Sequence, residues 1–484
     1  MALLLNLYPS SSSSAFLSCT KTLKALTNKP LLGFKNRAFS VTSLHSTTYN
    51  SQPPPEVHTF WQWLCDQGVV SADSPVRPAT VTEGLGLVAK RDVGENEVVL
   101  EVPKKFWINP DTVAASEIGN VCRELKPIIS VSLFLIREKK REDSPWRLYL
   151  DILPDSTDST VFWSEEELVE LQGTQLLGTT IDVKEYIRNE FLKLEEQIIL
   201  PHKELFPCPI TFDDFLWGFG MVRSRAFSRF GGQNLVVVPL ADLINHSQKI
   251  TTEGYAEIKG TGPFSRNLLF SLWSSVAVKA GEQVFIQYDL DKSNAKLALD
   301  YGFIESKSDR NAYTLTLEIP ESDPFFEDKL DIAESIGLSE TAYFDIILGR
   351  PLPPMMLPYL RLVALGGPDA FLFDLSFRST ILGQLDSPIS RANEELICQM
   401  VRDSCKSALS GYHTTVEEDE KLLEGGNPEP RLRIAVGVRA GEKRVLQQID
   451  GIFKERELKL NELEYYQDQR PQQHYTSLRI ETRA

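Results

Sequence analysis

The stretch Asp242-Leu243-Ile244-Asn245-His246-Ser247 places polar side chains directly after an apolar run, Leu235-Val236-Val237-Val238. That run reads as a buried strand, and Pro239, lacking an N–H, stops the ladder. Short polar segments after a buried strand are where a fold aims side chains and free backbone groups at a ligand. An Asn offers two donors and an acceptor, and a neutral His one of each. The pair therefore has the chemistry to read the edge of a purine. Three other readings compete: a glycosylation sequon, which needs a secretory route; metal ligation by Asp242 and His246, for which no companion ligands are in view; and a plain structural turn.

Four further stretches change the weighing. They are Glu83-Gly84-Leu85-Gly86-Leu87, Arg223-Ser224-Arg225-Ala226-Phe227-Ser228-Arg229, Gly281-Glu282-Gln283-Val284-Phe285-Ile286-Gln287-Tyr288-Asp289 and Tyr301-Gly302-Phe303. In this order, with Asn245-His246 between the second and third, the set resembles the SET-domain protein-lysine methyltransferases. It is most similar to the plant Rubisco large-subunit N-methyltransferase branch, whose kin include aldolase-directed enzymes. The likeness runs from about residue 57 to about 467. It implies an α+β fold: a SET domain of short β-sheets with an inserted helical subdomain, followed by an all-α C-terminal substrate-binding domain.

The elements that must position these residues follow from periodicity and punctuation. Residues 1–50 contain no Asp or Glu, five basic residues and abundant Ser and Thr, the composition of a plastid or mitochondrial transit peptide. The resemblance selects the chloroplast, with the stroma as the expected compartment. Pro53-Pro54-Pro55 is a stiff spacer, and Phe60, Trp61 and Leu64 then predict one face of a first helix. The catalytic domain is expected over 57–310. It opens with short strands between Gly86 and Trp107 and is interrupted by a helical insertion over about 111–209. Ser164 with Glu167, and Thr211 with Asp214, predict capping boxes. The charged run from Arg137 to Asp143 reads as a solvated face or loop. Phe215, Phe219, Val222 and Ala226 share the buried face of the helix that Thr211 starts. Val284, Ile286 and Tyr288 alternate onto one strand face, and Ser293 caps a short helix carrying Leu297 and Tyr301. Beyond Pro324 the chain reads as helical to its end, with a docking domain over 324–467 and a polar tail over 468–484. A chain ending near Asp323 is accordingly expected to keep part of the cofactor site.

Composition limits the alternatives. A net charge of −16 over 484 residues argues against a nucleic-acid grip and favours a basic substrate segment. No apolar run approaches the ~18 residues that span a bilayer, so no membrane partner is expected. The six cysteines fall at no zinc or disulfide spacing. The Gly84-Leu85-Gly86 turn lacks the third glycine and following helix of a dinucleotide fingerprint.

The resemblance assigns roles. Tyr288 becomes the catalytic residue. Glu83, Gly84, Leu85, Arg225, Asn245 and His246 would hold S-adenosylmethionine, with Arg225 on its carboxylate and no metal required. Ser224, Arg229, Asp242, Tyr255, Ile286, Tyr301 and Phe303 would line the substrate side. Taken alone, Tyr288, Tyr301 and Phe303 would be ordinary core aromatics. The implied protein partners are the Rubisco large subunit and fructose-bisphosphate aldolase, acted on by a monomer. A noncatalytic protein-binding module and a histidine-directed enzyme are the rival readings.

Overall fold

The computed structural model describes residues 49, 53–71, 73–228, 235–260, 268–373, 385–426 and 428–466. The polar tail over 468–484 and, apart from Tyr49, the leader lie outside them. The chain divides into two compact units. One runs to Lys307 and takes in Lys421–Val438; the other comprises Ser308–Glu420 and the chain from Arg439 on.

In the first unit, helix α1 (Pro55–Asp66) begins on a proline, whose missing N–H costs nothing at a helix start. Its buried face is Val57, Phe60 and Leu64, while Trp61 is only half-buried. Seven strands follow among the described residues: β1 (Val76–Val81), β2 (Gly84–Ala89), β3 (Val98–Pro103), β4 (Asn245–His246), β5 (Ala256–Gly260), β6 (Leu268–Trp273) and β7 (Gln283–Ile286). They form two sheets, ordered β1-β2-β7-β4 and β3-β6-β5. The reading that began the strands at Gly86 missed β1, because Val76-Arg77-Pro78-Ala79-Thr80-Val81 has a proline in its middle. That residue is tolerated because β1 lies at the sheet's edge, where one row of N–H groups has no ladder to join. Strand β4 is only two residues long but pairs parallel to β7, Asn245 opposite Phe285 and His246 opposite Ile286.

The stretch between β3 and residue 212 is helical, dominated by α2 (Pro127–Lys140) and α3 (Gln175–Leu194). Two expectations need correction nearby. Arg137 and Glu138 lie in the core rather than on a solvated face, 4% and 2% exposed. Their charges are paired at 2.7 Å, and Arg137 Nε also donates to the Leu205 carbonyl. Leu235–Val238 is buried as predicted, but it joins the structure by two isolated bridges, Val236 to Phe227 and Val237 to Ile108, rather than in a strand ladder. Helix α4 (Phe212–Arg225) has the expected Thr211–Asp214 capping box, and the short helix Glu165–Val169 has that of Ser164 and Glu167. Helix α5 (Asn294–Tyr301) is capped by Ser293, which accepts from Lys296 N.

The second unit is mainly helical: α6 (Phe326–Ser335), α7 (Met356–Val363), α8 (Arg391–Ser410), the first part of α9 (Val416–Glu424) and most of α10 (Pro430–Leu458). The expectation of helix throughout is corrected by β8 (Ala312–Glu318) pairing antiparallel with β9 (Thr341–Ile347). Ala342, Phe344 and Ile346 alternate inward along β9 while Tyr343 stays exposed, a period of two that favours strand over helix.

Candidate active site

Two residue clusters form at the β4–β7 pair. The first is aromatic. Helix α5 delivers Tyr301, and Gly302 then takes a left-handed conformation at φ +80° that ends the helix. A Cβ at Gly302 would also lie 2.2 Å from the Asp158 backbone. The reversal brings Phe303 back onto Tyr301, ring centroids 5.7 Å apart, and onto His246 at 4.8 Å. Tyr288 meets Tyr301 at 4.9 Å and Phe303 at 6.1 Å. Helix α5 is anchored beneath by a buried triad: Arg223 Nε donates to Asp300 Oδ1 at 2.7 Å, and Lys292 Nζ to Oδ2 at 2.6 Å.

A cavity of ≈ 170 Å³ opens beside these rings. Of the substrate-side residues expected from sequence, Ser224, Asp242, Tyr255, Ile286 and Tyr301 line it together with Tyr288. Phe303 is not in its wall but packs on Tyr301 and Tyr288 behind it. Arg229 lies outside the described residues. Arg225, expected with the cofactor set, also lines this cavity, as do Glu253 and Asp289, which sequence reasoning did not single out.

Two of the lining residues, Arg225 and Asp242, belong to a buried polar chain. Tyr149, from the helical turn Arg147–Leu150, donates to Asp242 Oδ2 at 2.8 Å, and Arg225 Nη1 reaches the same oxygen at 3.0 Å. Burial pushes the Asp242 carboxyl up against the pull of Arg225. The guanidinium loses hydration too, but Asp242 beside it holds its charge. Arg225 Nε, Asp242 Oδ1 and Ser228 Oγ, all in lining residues, are buried without a protein partner. The phenol of Tyr288 donates to the Ile244 carbonyl at 2.8 Å. Burial, reinforced by Asp242 and opposed by Arg225, raises its pKa well above the ordinary range, so it is neutral at physiological pH. Burial raises the phenols of Tyr255 and Tyr301 likewise.

The second cluster contains the remaining cofactor candidates. Asn245 Nδ2 donates to the Leu85 carbonyl at 3.0 Å and to Gln283 Oε1 at 2.8 Å, and Gln283 Nε2 donates to Glu83 Oε2 at 3.0 Å. Gly84 has open space beside its Cα, whereas a Cβ on Gly86 would collide with Gln283 and Asn245. His246 contacts Glu305 through Nε2 and accepts the Tyr288 N–H at Nδ1. The side chains of Asn245 and His246 thus both hydrogen-bond within the protein. Three connecting residues were missed from sequence. Gln283 sat in a quoted motif without an assigned role. Tyr149 is 93 residues from Asp242, and Glu305 carries no local signal. Among the described residues no group of His, Cys, Asp and Glu is placed to hold a metal ion, and no helix is long and apolar enough to cross a membrane.

Residues 320–446 match the family model described as Rubisco LSMT substrate-binding. The chain is 68% identical over 422 residues to the chloroplastic [fructose-bisphosphate aldolase]-lysine N-methyltransferase of Arabidopsis thaliana, covering 87% of this chain and 88% of the relative. The chain belongs to the Rubisco large-subunit methyltransferase family of SET-domain lysine methyltransferases. A second family member, the Nicotiana tabacum ribulose-1,5 bisphosphate carboxylase/oxygenase large subunit N-methyltransferase, chloroplastic, is 62% identical over 473 residues, 97% of this chain and 96% of its own. Among solved members, the SET domain of LSMT bound to lysine and AdoHcy superposes with a TM-score of 0.82 at 65% identity, covering 86% of this chain and 94% of that one. The α+β architecture read from the motifs is therefore that of the family.

Proposed function

We propose that this chain transfers a methyl group from S-adenosylmethionine to a lysine ε-amine on a stromal protein of the chloroplast, the Rubisco large subunit or fructose-bisphosphate aldolase. The observation that carries the reading is the cavity lined by Tyr255, Tyr288 and Tyr301, in which Tyr288 presents a neutral phenol whose proton is committed to the Ile244 carbonyl. Its remaining lone pairs are free to accept from an amine. A lysine of pKa about 10.4 is roughly 2–3 units from deprotonation at pH 7–8, a cost of about 3–5 kcal/mol. Enclosure by Tyr255, Tyr288, Tyr301 and Ile286 favours the neutral amine by removing water. Glu253 and Asp289, which also line the cavity, attract the incoming ammonium, while Asp242 is already paired with Arg225. The ammonium first loses one proton to solvent; the neutral amine nitrogen would then take the methyl carbon in line with the sulfur, a C–N bond forming as the C–S bond breaks, to leave a methylammonium and an uncharged thioether.

S-adenosylmethionine supplies an electrophilic methyl group on a positively charged sulfur. The residues present fit it. The unpartnered Arg225 Nε suits an additional carboxylate, and the open face of Gly84 admits close backbone approach. We read Glu83, Leu85, Asn245 and His246 as shaping that backbone surface, and Ser224, Arg229, Asp242, Tyr255, Ile286, Tyr301 and Phe303 as the lysine side. The reaction is read as metal-independent because the sulfur leaves uncharged and needs no Lewis acid. The second unit is read as the docking domain for the protein target, and the active form as a monomer. The leader is read as ending before Tyr49, whose backbone N–H donates to Gly281 O and whose phenol pairs with Thr82.

The test is to incubate the mature protein with isotope-labelled S-adenosylmethionine and stromal extract, with and without a chelator, and to identify labelled peptides by mass spectrometry. Label on a lysine of either target, unchanged by chelation, is expected. Label confined to histidine, or binding without transfer, would replace the reading with a rival one.

A further inference from the structure

Strand β7 ends at Ile286, where its pairing with β4 also ends, and Ser247 N closes the ladder on the Ile286 carbonyl. Tyr288 lies two residues beyond this point. No strand neighbour receives its N–H; the His246 ring does, with Nδ1 accepting at 3.3 Å. Since the phenol donates to Ile244 O, Tyr288 is held at both ends by the segment 244–246.

That hold depends on which ring nitrogen of His246 carries the proton. A backbone N–H only donates, so Nδ1 must be bare and the proton must sit on Nε2. Nε2 faces Glu305 Oε1 at 3.0 Å, with the two side chains only 7% and 2% exposed. The opposite tautomer would set N–H against N–H at Tyr288 and a lone pair against a carboxylate. Glu305 is itself fixed: Asn294 Oδ1 accepts its N–H at 2.8 Å and Asn294 Nδ2 donates to its carbonyl at 3.0 Å. Next to it, Ser306 N and Oγ bind Gln248 Oε1 at 3.2 and 3.1 Å, and Phe303 covers the His246 ring.

We infer that Glu305 is a positioning residue for methyl transfer: it fixes His246 in the Nε2–H form, and His246 in turn sets the backbone of Tyr288. A carboxylate hydrogen-bonded to one imidazole nitrogen dictates what the other can do. The inference rests on the reading of Tyr288 as the residue at the reacting centre, and the ring tautomer can be measured without any turnover.

The experiment uses full-length protein labelled with 15N-histidine, whose long-range proton–nitrogen spectra distinguish the tautomers, together with steady-state methylation. Wild type is expected to show His246 as Nε2–H. Glu305→Gln, whose amide oxygen still accepts, should keep that form and most of kcat. Glu305→Ala should give mixed tautomers and lower kcat by about ten- to a hundredfold through misplacement of Tyr288. The KM for S-adenosylmethionine should stay within about twofold, since only the reacting geometry is disturbed. An Nδ1–H form in wild type overturns the inference, as does an unchanged Nε2–H form in Glu305→Ala. Mixed tautomers with full kcat also overturn it when Tyr288→Phe is inactive in the same assay; an active Tyr288→Phe instead overturns the reading of Tyr288, and the catalytic part of this inference with it. If Glu305→Ala does not fold, the wild-type and Glu305→Gln spectra decide, and a switch to Nδ1–H in the latter counts against it.

Discussion

Tyr288→Phe removes one oxygen from a ring whose position is set by its neighbours, so its effects on folding and on turnover should separate. The lost hydrogen bond to Ile244 O is worth about 1 kcal/mol. The loss in turnover should be roughly two to four powers of ten, about 3–5 kcal/mol in the barrier, with cofactor affinity nearly unchanged. Because burial lifts the phenol out of its ordinary range, the wild-type rate should rise with lysine deprotonation and show no inflection from Tyr288 below about pH 10. A thermal melt, a cofactor titration and a pH–rate profile on one preparation check this; turnover within about threefold of wild type would remove Tyr288 from the reaction. Asp300 supports a second prediction. Burial alone would lift its carboxyl, but Arg223 and Lys292 together hold it below the usual value. A depressed folded pKa stabilises above the unfolded value of about 3.9 and loses that contribution as pH falls through the folded one. Asp300→Asn, which leaves two buried cations facing an amide, should therefore cost about 3–5 kcal/mol near neutrality. In urea titrations the gap from wild type should narrow as pH falls toward 3, and a constant gap would mean that the charge is not what matters. At this scale residue types were legible and partners were not. The motifs picked out Asn245, His246 and Tyr288, but nothing local showed that Gln283 and Glu305 occupy two of those side chains, since both arrive through tertiary packing.

Strand β4, only two residues long, shows how an element too short to stand alone is held by its surroundings. Its anchor is the Asn245 amide, which spans Leu85 O and Gln283 Oε1 over a glycine. A Cβ at Gly86 would lie 2.5 Å from Gln283 Oε1, 2.8 Å from Val81 Cγ2 and 2.9 Å from Asn245 Nδ2. Gly86→Ala should therefore displace the Gln283 and Asn245 side chains and loosen the anchor of β4, at a cost of about 1–3 kcal/mol. Cofactor affinity should weaken by about tenfold or more, the equivalent of about 1.4 kcal/mol. Gly178→Ala, inside α3 with nothing within 4 Å of the new methyl, is the control and should stabilise by about 0.5–1 kcal/mol. Calorimetric titration and melts of both variants check the contrast; equal behaviour would show that Gly86 is not a close-approach position. Elements with local punctuation were readable in advance, as the caps at Ser164, Thr211 and Ser293 show. Those whose character comes from neighbours were not. Pro78 hid β1 because an edge position excuses a proline. The charges of Arg137 and Glu138 hid the end of a core helix because they neutralise each other inside it.

For the whole molecule, linear reading placed a single boundary between 310 and 324, whereas the second compact unit begins at Ser308. What composition could not reveal is that Lys421–Val438 returns to the first unit. In that segment Ile434, Ala435 and Val438 are buried in the same core as Phe60, Trp107 and Val284. Arg431 there binds the Glu167 carboxylate at 2.8 Å and Asp158 at 3.1 Å, and Gly437 lies against Ile304. A chain ending near Asp323 lacks all of this. Loss of Ile434 and Val438 alone should cost roughly 3–6 kcal/mol at about 1.5–3 per side chain. Against a total domain stability of about 5–15 kcal/mol, that leaves little margin. The truncated chain should therefore fail to hold its cofactor site because its core is incomplete, whatever the removed second unit does. The full-length double variant Ile434→Ala with Val438→Ala isolates the effect, since its second unit is intact: its urea midpoint should fall markedly while methylation at low temperature persists. If the truncated chain instead melts like the full one and binds S-adenosylmethionine equally well, residues 421–438 are not part of the catalytic unit's core.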